Sequence, residues 1–161
     1  MKKYFGIILC CCLCGIMCIS CKNKDDATKD LSGYTFKMDK VTIVFHSKEA
    51  GKDNSYNVTV TTDYGSTDTA ERSAAHAYWD WTKDKQAGFQ FQFEIGNKAK
   101  HVFQQEDYKL VLNFDTESTG TATGKNSYTR VWRNWSSSQY NVATDVLFGT
   151  ENIDAKFTLT K

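Results

Sequence analysis

Phe89-Gln90-Phe91-Gln92-Phe93-Glu94-Ile95 alternates apolar and polar side chains without a break. A period of two sends successive side chains to opposite faces of a strand, so this stretch has one aromatic face and one wet face. Tyr108-Lys109-Leu110-Val111-Leu112-Asn113-Phe114 repeats the pattern downstream. Tyr56-Asn57-Val58-Thr59-Val60-Thr61 repeats it upstream with β-branched residues, which suit a pleated surface. Val41 to Phe45 is shorter and more continuously apolar, and Ala155 to Thr160 forms a last strand.

Turn chemistry separates these runs. Gly51, Asp53 and Asn54 punctuate Lys48 to Asn54, and Lys83 to Gly88 links two aromatic runs. Asp115 to Gly120 and Gly124-Lys125-Asn126 read as turns flanking a small Thr121-Ala122-Thr123 stretch, and Gly149 to Asp154 reads as the turn before the last strand. Connections this short cannot carry parallel crossovers. The expectation is an all-β domain, an antiparallel meander of about eight to ten strands. Both a closed barrel and a β-sandwich fit, and the absence of proline favours the barrel, since edges then need protection by closure. Thr67 to Gln86 reads two ways. Asp68 and Glu71 have capping-box spacing, with Ala70, Ala74, Ala77, Tyr78 and Trp81 on one helical face, yet Ala77, Trp79 and Trp81 also alternate. A strand over His76 to Thr82 after a helical turn is the preferred reading.

The amino terminus carries a different message. Met1-Lys2-Lys3 is basic, Tyr4 to Ile19 is apolar, and Lys22-Asn23-Lys24-Asp25-Asp26 is abruptly polar. That is the pattern of a signal peptide over residues 1–20. The apolar run is short for a spanning helix, which needs about 20 residues. Cys18-Ile19-Ser20-Cys21 resembles a bacterial lipobox, which implies cleavage before Cys21 and a lipid anchor on it. Residues 21–30 then form a charged tether and residues 31–161 one domain. All six cysteines lie at or before position 21, so the domain has no disulfide and no thiol chemistry.

Lys24-Asp25-Asp26 resembles the surface-export signal of Bacteroides-type lipoproteins, and Asp68-Thr69-Ala70 their O-glycosylation motif. Leu31-Ser32-Gly33-Tyr34-Thr35-Phe36, Phe114 with Gly120-Thr121-Ala122-Thr123-Gly124, and the closing Ala155-Lys156-Phe157-Thr158-Leu159-Thr160-Lys161 resemble the lipocalin-like, or calycin-like, lipoproteins of such bacteria. The resemblance implies a lipocalin-like barrel and a cell-surface, outer-membrane location. It extends to architecture only, because the tryptophan that lipocalins carry two residues after the opening glycine is absent after Gly33.

Catalytic patterns are missing. His46, His76 and His101 lack metal-ligand spacing, and Asp115 and Glu117 sit in a turn rich in Ser and Thr. Glycine-rich phosphate loops and cofactor motifs are absent. The expectation is a non-enzymatic protein without cofactor or metal. Without Lys2 and Lys3, 18 basic residues face 19 acidic ones, a formal charge of about −1 with no basic stripe, which argues against nucleic acid as a partner.

The tryptophans fall into two groups, Tyr78-Trp79-Asp80-Trp81 and Tyr128-Thr129-Arg130-Val131-Trp132-Arg133-Asn134-Trp135. They are either core or exposed indole surface, and exposed aromatic surface marks binding sites. The first expectation is a glycan-binding surface, with Trp79, Trp81, Trp132 and Trp135 stacking on sugar rings beside Tyr78, and Asp80, Arg130, Arg133 and Asn134 bonding hydroxyls. A second is a lipocalin-like carrier with a small apolar ligand among Phe89, Phe91, Phe93, Leu110 and Leu112. A third is a structural or adhesive protein with a flat protein-binding face.

Overall fold

A computed structural model of the chain describes residues 30–67, 73–83, 85–97, 99–134 and 142–161. The signal peptide, Cys21, the tether up to residue 29, Asp68-Thr69-Ala70 and Trp135 lie outside these residues. Of the stretch expected to make a helical turn before His76, residues 68–72 lie outside them and Ser73 to Ala75 are already strand. Nine strands follow in order: β1 (Thr35–Met38), β2 (Val41–Lys48), β3 (Ser55–Thr62), β4 (Gly65–Ser66), β5 (Ser73–Lys83), β6 (Gln86–Asn97), β7 (Val102–Phe114), β8 (Thr119–Asn134) and β9 (Val142–Thr160).

Sheet order is β2-β1-β9-β8-β7-β6-β5-β3-β4, and a β2–β3 pairing closes the ring. With the two-residue β4 set aside, eight strands form a closed antiparallel up-and-down barrel. Closure decides for the barrel over the sandwich. The alternation in Phe89–Ile95 holds along β6: Phe89, Phe91, Phe93 and Ile95 are buried, while Gln90 and Gln92 are exposed. Asp39 takes φ 47° in the two-residue β1–β2 turn, a left-handed conformation that Asp tolerates and hairpins of this length favour.

The expected strand over His76 to Thr82 is present within β5. The turns expected at Gly124-Lys125-Asn126 and at Gly149 to Asp154 are not: β8 and β9 run straight through both. These glycines serve close packing inside strands. A Cβ on Gly124 would meet the Lys109 carbonyl oxygen at 2.1 Å, and one on Gly149 would meet the Tyr128 hydroxyl at 3.1 Å.

The interior is solid at one end. Phe36 contacts Phe89 at 4.9 Å between ring centroids and Phe157 at 5.5 Å, and Trp79 contacts Phe89 at 5.0 Å. Phe91 stacks on Tyr108 at 4.4 Å. Phe89, Phe91, Phe93, Leu110 and Leu112, expected to line an apolar cavity, instead fill the space themselves. Aromatic rings projecting from β1, β5, β6 and β9 meet across the barrel axis, so no ligand-sized gap separates them.

Candidate functional site

Two surfaces gather polar side chains. The first lies on the outer face of β5 to β9, where strand register aligns residues in rows. One row runs His76, Gln92, Asp107, Ser127 and Thr150, and the next runs Glu94, Gln105, Thr129 and Phe148. These are the outward positions of alternating strands, so their amides, carboxylates and hydroxyls share one surface. All of them except His76 line a groove of about 510 Å³. A shallower depression of about 220 Å³, lined by His76, Tyr78 and Gln90, adjoins it and shares Gln92 and Asp107.

Two aromatic rings bound this face. Phe148 is 76% exposed and Tyr78 is 44% exposed. They stand four strands apart, halfway round the ring of eight, so Phe148 borders the larger depression and Tyr78 the smaller one. Beyond His76 lies Glu49, which accepts from His76 Nδ1 at 3.1 Å. Hydrogen bonding from Lys52, and then from His76, holds the Glu49 carboxyl below the usual carboxylate range.

The second surface is a cleft of about 680 Å³ at the end of the barrel away from the solid aromatic core. At its floor Glu106, 1% exposed, is surrounded by donors. Arg130 Nη2 donates to Oε1 at 2.6 Å and Arg130 Nε at 2.8 Å, with Gln104 Nε2 at 2.6 Å. Oε2 accepts from the Tyr108 hydroxyl at 2.7 Å and from Asn126 Nδ2 at 3.0 Å. A buried carboxylate needs this saturation to offset its lost hydration. Burial lowers the affinity of Arg130 for its proton, but bonding to Glu106 outweighs that and leaves the guanidinium above its ordinary value. Burial, and then the charge of Glu106, push the Tyr108 hydroxyl well above its ordinary value. Five donor contacts from four residues thus fix Glu106 at the floor of the cleft.

The sequence-predicted site residues do not converge on one patch. Trp79 and Trp81 share a face as expected, but that face points inward: Trp79 is 3% exposed and Trp81 packs against the core. Their indole nitrogens have no hydrogen-bond partner among the described residues, so both act as hydrophobic filling. This corrects the expectation that they stack on a ligand; barrel closure turns the odd positions of β5 inside. Tyr78 and Asp80, at even positions, are exposed on the outer face. Arg130 faces the cleft and is held by Glu106, and Trp132 is half-buried. Arg133 and Asn134 belong to β8, with side chains outside the described residues, as is Trp135.

Residues that sequence reading missed include Phe148, which precedes the turn expected at Gly149 to Asp154 and is given no role there, and Glu106. Glu106 was legible in principle: extending the Leu110–Leu112–Phe114 parity backward puts Gln104 and Glu106 on the apolar face. Among the described residues no group of three or more His, Cys, Asp and Glu is placed to hold a metal ion. Comparison with family models, curated proteins and solved structures found no match.

Proposed function

We propose that this chain is a non-enzymatic lipoprotein, tethered through Cys21 to the outer membrane and exposed at the cell surface, that binds glycan on the outer face of β5 to β9. The barrel supports the lipocalin-like resemblance as architecture. The observation that carries the glycan reading is Phe148, a solvent-exposed ring beside a groove of Gln, Glu, Asp, Ser and Thr side chains. The apolar C–H face of a sugar ring packs on an aromatic face, while amides and carboxylates bond its hydroxyls. Tyr78 lines the adjoining depression, which shares Gln92 and Asp107 with the groove, and gives a second platform, so the two together suit an oligosaccharide better than a single sugar. Against an apolar ligand, one end of the interior is filled by aromatic rings and the cleft at the other end is lined mostly by charged and polar side chains.

The test uses the full chain in mild detergent, screened by calorimetry against soluble polysaccharides. A binding glycan is expected, and Phe148→Ala with Tyr78→Ala is expected to weaken it about tenfold or more, as for other exposed aromatic anchors. Unchanged affinity in that double variant, with an intact fold by circular dichroism, overturns the reading.

A further inference from the structure

β9 is far longer than the strand that covers it. β1 pairs with β9 only from Phe157 to Thr160, opposite Met38 to Thr35. Along residues 151–156 the same side of β9 has no strand among the described residues, while β8 pairs along its other side. Glu151, Asn152, Asp154 and Lys156 are exposed there. A strand edge of this kind presents a row of unpaired backbone donors and acceptors.

The cleft of about 680 Å³ is the slot beside this edge. Residues 151–156 of β9 form one wall, and the turns at Asp39–Lys40 and Asp63–Tyr64 face them. Six residues are the length of an ordinary strand.

We propose that this edge docks an extended peptide strand bearing lysine or arginine side chains, contributed by another protein, by strand addition to β9. Charge selects the occupant. Five acids line the slot against three bases. Of the bases, Arg130 is held by Glu106 at 2.6 Å, Lys40 by Asp63 at 3.0 Å, and Lys156 reaches Asp115 at 3.3 Å. Asp39, Glu151 and Asp154 leave the slot negative. Each copy of this edge carries a net negative charge, Glu151 and Asp154 against Lys156, which disfavours self-pairing. Inward Glu151 and edge Lys156 are devices that turn away uncharged strands. A basic strand meets both requirements, with main-chain hydrogen bonds giving affinity and the acids giving selectivity. The chain has no proline to block pairing anywhere along β9. This inference is independent of glycan binding, which lies on the outer face.

The experiment measures fluorescence anisotropy of a labelled decapeptide of alternating lysine and valine on the full chain in detergent, at about 0.15 M salt. Binding is expected. It should weaken about tenfold or more in Glu151→Lys/Asp154→Lys. It should also be lost when the peptide is N-methylated at every second residue, in both registers, which keeps charge and removes strand donors. Equal binding of the methylated peptides would reduce the effect to charge adsorption and overturn strand addition. Absence of binding at millimolar peptide, or equal binding of a glutamate–valine peptide, overturns the proposal. A dimer of the unliganded chain that the double variant dissociates would make the edge a self-interface and overturn the basic partner.

Discussion

Tyr108 ties the core to the charged floor of the cleft. Its ring stacks on Phe91 at 4.4 Å and its hydroxyl donates to Glu106 at 2.7 Å. Burial and the neighbouring carboxylate raise its pKa above that of a free tyrosine. The native state therefore holds this proton more tightly than the unfolded chain does, and the hydroxyl's contribution is fully present below pH about 10. Above that pH the unfolded chain ionises first, and the contribution falls as pH rises toward the native value. Tyr108→Phe lacks the titrating group, so the stability advantage of the natural chain over this variant is expected to shrink steadily above pH about 10. Urea unfolding of both proteins from pH 8 to 11 measures it. A constant difference across that range would place the hydroxyl in a solvated setting. Phe148 is the opposite case: its exposed ring contributes to the surface and not to the core, so Phe148→Ala is expected to change stability by no more than about 0.5 kcal/mol.

At the scale of elements, β8 is a strand whose sequence looks like turns. Gly120, Gly124 and the small Ala122 occupy inward positions opposite Phe114, Leu110 and Leu112 of β7. The large residues of one strand need small ones on the next to pack at interior density. A Cβ on Gly120 would lie 2.1 Å from the Asn113 carbonyl oxygen and 2.8 Å from the Phe157 ring. The clash is with backbone, which cannot swing aside as a flexible side chain does. Gly120→Ala is expected to cost about 3 kcal/mol in chemical denaturation, the upper end for overpacking. At Gly51 a Cβ meets nothing within 4 Å, and its φ of 75° is the sole obstacle. Gly51→Ala is accordingly expected to cost only about 1 kcal/mol. Equal costs at the two positions would show that local conformation, and not close strand approach, governs both.

For the whole molecule, closure depends on contacts between strands distant in sequence. Phe36 on β1 touches Phe89 on β6 and Phe157 on β9, linking the first and last strands through the barrel centre. It is fully buried. Phe36→Ala is expected to cost about 3 to 5 kcal/mol. The loss should appear as a single cooperative shift in thermal melting, since no local segment can give way alone once the ring of strands is closed. A separate early transition limited to β1 and β9 would contradict that cooperativity.

The fold class and five of the strands, those around Phe89–Ile95, Tyr108–Phe114, Tyr56–Thr61, Val41–Phe45 and Ala155–Thr160, were legible in the amino-acid sequence, because a half-buried strand must alternate. The strand over His76–Thr82 was legible as the better of two readings. Glycine in β8 and β9 misled, since a turn glycine and a packing glycine look alike until the neighbouring strand is in place. The sequence by itself determined that alternate residues of β5 share a face, and hence that Trp79 travels with Trp81 and Tyr78 with Asp80. Which face is inside was decided only by the tertiary structure, because closing the barrel buries one set of alternating positions and leaves the other to solvent. Strand register, likewise absent from the sequence, brought Glu106 to Arg130 across the β7–β8 hairpin and set Phe148 beside its polar rows, and the short β1 left β9 longer than the strand that covers it.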